Sequence, residues 1–205
     1  MNQLFIFPFN GNGLEAIDCV RDQYEFIGFI DDNIEKQGQH ELGFTVYDRD
    51  KLDEYPNAKV LAVPGSPASF PSRGQIITGF MEDESRFISL IHPSASVSPF
   101  AKIGKNVLIL AGAVITSNSE IGDHVCVLPN SVIHHDSNIG SYTLIGSNVT
   151  VAGNTTIEDN CYIGSGSRII NGVSIGANTL IGMGTNVIKS LSKDSKVVGN
   201  PAKQL

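Results

Sequence analysis

The chain is poor in cysteine, short of positive charge and without a long apolar run, and each shortage removes a class of function. Its three cysteines, Cys19, Cys126 and Cys161, stand far apart with no paired spacing, so neither a disulfide framework nor a zinc-binding cysteine set is encoded. Reduced thiols lead us to expect the cytoplasm. Lys and Arg number 14 against 21 Asp and Glu, a net charge of −7. A nucleic-acid partner or an anionic membrane surface calls for the opposite bias on one face, and neither is expected. No stretch is long enough to cross a bilayer. The opening MNQLFIFPFNGNG has no basic leader and is broken by Pro8, so it reads as a first strand and not as a signal peptide.

What the chain has instead is a period. Stepping by six from Ile103 gives Ile109, Ile115, Ile121, Val127, Ile133, Ile139, Ile145, Val151, Ile157, Ile163, Ile169, Ile175, Ile181 and Val187, fifteen positions that are all Ile or Val. Small residues sit two places before them, as at Ala113, Ser131, Cys161 and Thr179. Six residues are too few for a helical repeat, and β-branched side chains suit a pleated surface, so the unit is a short strand plus a turn. Three units close a triangular coil of eighteen residues, and fifteen positions make five coils. Stacked like strands in a sheet, they span about 24 Å. The expected fold is a parallel β-helix.

Residues 1–88 have another texture. Leu4 to Phe9 and Glu25 to Ile30 are apolar runs, separated by Asn10-Gly11-Asn12-Gly13 and by Leu14, Ile17 and Val20 at helical spacing. The second run ends in Asp31 and Asp32. Strand, glycine loop, helix, strand and acidic pair is the opening of a nucleotide-binding βαβ unit. Glycine would let backbone N–H groups approach a phosphate, and an aspartate could accept from a ribose or base. Taken singly, the loop could equally be a β-turn and the aspartates solvated turn residues. Lys59 to Val63 is a third strand, a helix falls between Ser69 and Phe80, and Arg86 to Ile91 is a fourth strand. We therefore expect a small Rossmann-like α/β domain over 1–88 and a β-helix with a C-terminal tail over 89–205.

The three corners of the coil differ. Turns at two of them usually begin with Gly, whereas the third reads Thr116-Ser117-Asn118, His134-His135-Asp136, Ala152-Gly153-Asn154 and Ile170-Asn171-Gly172. Eighteen residues separate His135 from Gly153, which places the imidazole beneath a position with no side chain. There a thioester could lie against the histidine with a free amide facing its carbonyl oxygen. An imidazole can take the proton of an attacking amine or hydroxyl, and Asp136 could hold its other nitrogen.

NSVIHHDSNIG, the unbroken hexads, the ending VGNPAK and the N-terminal GNG with IDD together resemble the PglD/NeuD-type sugar O/N-acyltransferases of bacterial surface-glycan pathways. The resemblance implies a left-handed β-helix, a handedness opposite to the usual crossover rule. It implies acetyl-CoA as donor, a UDP-linked amino sugar as acceptor and a homotrimer with sites between subunits. By the same match His135 is the general base, Asp136 orients it and Gly153 offers its amide to the acyl carbonyl. Ser165 and Met183, eighteen apart on another corner, match acetyl-CoA contacts, and Gly11, Asn12, Gly13, Asp31 and Asp32 fall in the nucleotide-sugar site. His134 is a substrate-side group or an alternative base. Pro8 and Asn12 depart from the family's loop, and Leu144 stands where some members carry a second histidine. Sugar O-acetylation is a near alternative. A β-helical carbonic anhydrase would need His124, His134 and His135 to converge on zinc, although they occupy different corners. A non-catalytic scaffold is the third reading.

Overall fold

The computed structural model describes residues 1–205. Its N-terminal layer is a five-stranded sheet in the order β3-β4-β2-β1-β5, with β1 Asn2–Phe7, β2 Tyr24–Ile30, β3 Gly38–Gln39, β4 Thr45–Tyr47 and β5 Lys59–Ala62. All neighbours are parallel except β3 on β4. Leu4, Phe5, Ile6, Phe29, Ile30, Val60 and Leu61 have no exposed surface, which is why these strands read as unbroken apolar runs. Helix α1, Gly11–Ala16, lies between β1 and β2, and α2, Arg73–Phe80, follows β5 on the way to the coil.

Two expectations need correction. Gly11, Asn12 and Gly13 form no loop; they are the first turn of α1, capped by the Asn10 side chain, which accepts from the Gly13 N–H at 2.8 Å. A Cβ on Gly13 would lie 2.7 Å from the Pro8 carbonyl oxygen, so this glycine serves helix-to-strand packing. The expected fourth strand over Arg86 to Ile91 is absent from the N-terminal sheet. Glu84–Arg86 is a 3-10 turn, Phe87 makes one isolated bridge to Val60, and only Leu90–Ile91 is a strand, paired with Leu108–Ile109 in the coil. The place beside β2 belongs to β4, whose three residues are too few to register as a pattern.

From Leu90 onward the chain is a left-handed parallel β-helix. Two-residue strands pair with partners eighteen residues away, as in Val114↔Val132, Glu120↔Asn138 and Cys126↔Leu144. They form three flat faces. The first carries Leu108–Ile109, Cys126–Val127 and Leu144–Ile145, the second Val114–Ile115, Val132–Ile133 and Thr150–Val151, and the third Glu120–Ile121, Asn138–Ile139 and Thr156–Ile157. The hexad residues fill the prism; Ile133, Ile139, Ile145, Val151, Ile157 and Ile163 are wholly buried. Small residues two places earlier have a second task. Ser131, Thr143 and Ser167 donate their hydroxyls to the carbonyls of Gly146, Glu158 and Gly182 in the next rung, satisfying acceptors that no ladder reaches. Asn supplies the left-handed turn residue on many rungs, as at Asn118, Asn130, Asn148 and Asn160, with φ between 56° and 60°.

The two parts pack through the first face. Its outward side chains Leu90, Leu108, Cys126 and Leu144 join Leu4, Ile6, Phe29 and Leu61 in one buried cluster. Asn106 grips the end of β5 by both its amide groups, accepting from the Ala62 N–H at 2.7 Å and donating to the Ala62 carbonyl at 2.8 Å. Arg73 is fully buried on α2 and donates to the His124 carbonyl at 2.7 Å and to the Pro64 carbonyl. His124 and Tyr142 occupy left-handed turn positions where other rungs carry Asn, with φ of 61° and 63°. Their rings stack at 4.8 Å, so contacts at the junction offset a backbone conformation unfavourable for bulky residues. No helix is long and apolar enough to cross a membrane.

Candidate active site

The edge between the second and third faces carries the turns 116–119, 134–137 and 152–155, and the coil register brings their residues into columns. The Asn154 N–H donates to the His135 carbonyl at 3.0 Å, and the Gly172 N–H to the Gly153 carbonyl at 3.1 Å. His135 and Gly153 are therefore neighbours on adjacent rungs. His135 Nδ1 and Asp136 Oδ2 are 2.7 Å apart, with the two side chains 58% and 45% exposed, so the pair is open to solvent and to a substrate. Hydrogen bonds, first from His135 and then from Asn118, hold the Asp136 carboxyl below the ordinary carboxylate range. A carboxylate on Nδ1 makes that nitrogen the N–H donor and leaves the lone pair on Nε2.

Gly153 departs from the sequence-based picture in one respect. A Cβ built there would lie 2.8 Å from His135 Cε1, 2.9 Å from Nε2 and 3.2 Å from Nδ1. The space freed by the missing side chain is occupied by the imidazole itself, not by an empty slot for a thioester. An acyl group would have to approach from the solvent side of the ring. The Gly153 N–H donates to no group of the chain. On the edge between the third and first faces the corresponding amides are taken, Lys105 by Asp123 and Ser141 by Asp159, at 2.7 and 2.8 Å.

His134 lies half-buried beside the base, its backbone N–H bonded to the Val151 carbonyl at 2.9 Å. Ser165 and Met183 share a column on the edge between the first and second faces. Ser165 accepts from the Ser147 N–H at 3.1 Å, and Met183 is 76% exposed. Within one chain the whole second face separates them from His135. His124 is not part of the His134–His135 edge; it is buried in the junction, its Nδ1 3.0 Å from the Asn106 amide, and burial lowers its pKa.

The N-terminal residues lie on the side of the first face. The Asn12 side chain faces a cleft of about 210 Å³, closed by Gly65, Pro67, Leu144 and Tyr162. Asp31 is buried and already used: its oxygens accept from the Phe9 N–H at 3.1 Å, the Asn33 N–H at 2.9 Å and Lys36 Nζ at 2.9 Å. Asp32 is exposed and meets Arg49 at two points, 3.1 and 2.6 Å. The two aspartates are thus unequal, and Asp31 orders the turn in front of α1. Sequence reasoning missed Asn118, whose amide donates to the second oxygen of Asp136 at 3.2 Å. The eighteen-residue register that paired His135 with Gly153 also pairs 118 with 136 and could have found it.

Residues 118–153 and 154–189 match the bacterial transferase hexapeptide family of six repeats. No curated protein matches the sequence. Solved structures match over the full length. The acetyltransferase domain of PglB from Neisseria gonorrhoeae is 26% identical with a TM-score of 0.88, covers 100% of both chains, and has also been solved with acetyl coenzyme A. PerB from Caulobacter crescentus, solved in complex with CoA and GDP-perosamine, is 26% identical with a TM-score of 0.83, covering 100% of this chain and 97% of its own. WeeI from Acinetobacter baumannii is 25% identical, with a TM-score of 0.87 and 100% coverage of both chains.

Proposed function

We infer, from a chain that joins the hexapeptide-transferase repeat to the full-length fold of the PglD/NeuD-type sugar acyltransferases, that this protein is an acetyl-CoA-dependent sugar N-acetyltransferase. Beyond that class, we propose that the acceptor is the amine of a nucleotide-linked amino sugar, with UDP as the nucleotide, destined for a bacterial surface glycan. The observation that carries the reading is the exposed His135–Asp136 pair, 2.7 Å apart, with the unused Gly153 amide on the rung above.

The residues divide the work as follows. The acceptor amine attacks the thioester carbonyl carbon, and its proton passes to His135 Nε2. Asp136 keeps Nδ1 protonated and stabilises the imidazolium that forms. The Gly153 N–H donates to the oxygen on which negative charge develops. Collapse of the tetrahedral adduct expels the CoA thiolate, which takes the proton back from His135. Ser165 and Met183 line the path of the donor's pantetheine arm. On the acceptor side, Gly11, Asn12 and Asp32 face the nucleotide sugar, Asp31 and Gly13 support their turn, and His134 contacts the sugar.

Geometry also supports a shared site. The N-terminal layer covers the first face, whereas His135 stands on the edge opposite that face. The prism stands between the N-terminal layer of one chain and the His135 of the same chain, so we propose a homotrimer in which each acceptor site faces a neighbour's base. The test is thiol release from acetyl-CoA against a panel of UDP-, GDP- and dTDP-amino sugars, with wild type, His135→Ala, Gly11→Trp at the exposed start of α1 where a side chain meets nothing within 4 Å, and a mixture of the two variants. Loss in each single variant with partial recovery on co-assembly is expected. Full activity of His135→Ala would remove the base, and no recovery in mixed oligomers would remove the shared site.

A further inference from the structure

The edge that carries His135 holds a polar column in consecutive rungs: Asn118 and Asp136, eighteen apart and both left-handed, with φ of 58° and 57°. Asn118 Nδ2 donates to Asp136 Oδ1 at 3.2 Å, while Asp136 Oδ2 meets His135 Nδ1 at 2.7 Å. The carboxylate is therefore held from both sides, one oxygen by each partner. A similar ladder runs along another edge, where Asn160 donates to Asn178 at 2.9 Å and Asn178 to Asp194 at 3.2 Å. There the last carboxylate meets no histidine, so that ladder only braces the coil. The column through Asn118 differs because its end is attached to the proposed base.

We propose that Asn118 is a positioning residue for the acetyl transfer: it fixes the rotation of the Asp136 carboxylate so that Oδ2 faces Nδ1 and the lone pair of His135 stays on Nε2. Asp136 is 45% exposed, and without the amide its carboxylate can turn toward water about a soft torsion. The imidazole would then lose its fixed tautomer, and part of the enzyme would carry the proton on the nitrogen that must accept one. The Asn118 side chain is on the rung below the base and its one side-chain hydrogen bond goes to Asp136, so it acts through that carboxylate. The proposal rests on His135 being the base.

The test substitutes Asn118→Gly, which removes the amide but keeps the left-handed backbone accessible. A hydrogen bond to a charged group is worth about ten-fold, so we expect kcat to fall about ten-fold with KM for acetyl-CoA and for the sugar unchanged. In ¹⁵N-histidine NMR of the assembled protein, His135 should change from a single Nδ1–H tautomer to an averaged signal. Asn118→Asp, which sets a second carboxylate against the first, should be slower than Asn118→Gly. A structural brace alone predicts the reverse: a lower Tm, wild-type kcat and an unchanged NMR signature, and that result overturns the proposal. Should His135→Ala itself turn over normally, the failure lies in the base; should His135→Ala be inactive and Asn118→Gly fully active, it lies with Asn118.

Discussion

Replacing Gly153 by Ala separates packing from chemistry more cleanly than removing the base does. The new methyl carbon would stand 2.8 Å from His135 Cε1 and 2.9 Å from Nε2. Carbon atoms settle at about 3.5 Å, so the ring must retreat by about 0.7 Å or rotate off its partner. The side chain is 58% exposed and can do so without disturbing the core. Gly153 is not among the positive-φ glycines, so alanine fits the backbone. Stability should hold or rise by ~0.4–1 kcal/mol through the unfolded chain. Catalysis should not hold, because a displacement near 1 Å in a reacting group costs roughly 10²-fold. Purified Gly153→Ala is expected to keep the wild-type Tm and the KM for acetyl-CoA while kcat falls about 10²-fold, read by thiol release. A kcat within threefold of wild type would mean that the position of the imidazole beneath residue 153 has no bearing on turnover.

Other consequences can be measured on stability alone. Leu108 points outward from the coil yet is wholly buried under the N-terminal layer, so Leu108→Ala should cost ~2–5 kcal/mol in urea unfolding, whereas Glu120→Ala, in the same outward register on the third face, should cost under about 0.5. Ile133→Ala should cost as much as Leu108→Ala, and wild-type-like unfolding would contradict the stacked core. His124 has a pKa lowered chiefly by burial, so the fold keeps it neutral while the unfolded chain takes up a proton. Its contribution to stability is complete above pH ~6.5 and diminishes as pH falls from there toward the folded value. Tm measured from pH 7.5 to 5.5 should therefore decline more steeply for wild type than for His124→Gln, and parallel curves would show that burial does not keep the ring neutral.

The coil was legible because one inward residue per six obeys a single rule, set by a cross-section that admits only a β-branched side chain. The same arithmetic located His135 beside Gly153. It did not disclose what fills the gap, since ring orientation depends on Asp136 and Asn118 and not on spacing. The outward column Leu90, Leu108, Cys126, Leu144 contrasts with Lys102, Glu120, Asn138, Thr156 on the third face, a signal for the docked layer that went unread beside the stronger inward period. In the N-terminal layer the strands buried on both sides were legible as apolar runs. The three-residue β4 was not, because pairing with β2 supplies what its length lacks. Asp31 and Asp32 are identical in sequence and opposite in environment. Only the fold shows that one faces Lys36 and two backbone amides and the other Arg49.

The bolts at Asn106 and Arg73 tie the N-terminal layer to particular storeys of the prism, and His135 stands more than one and a half storeys beyond Asn106. Inserting one complete eighteen-residue winding between His124 and His135 would lift the imidazole by about 4.8 Å relative to both bolts. The prism is thus a ruler graduated in fixed steps. The reach it demands of an acceptor can change only by whole graduations, and a sugar too short for one mark cannot be accommodated by a fraction of the next.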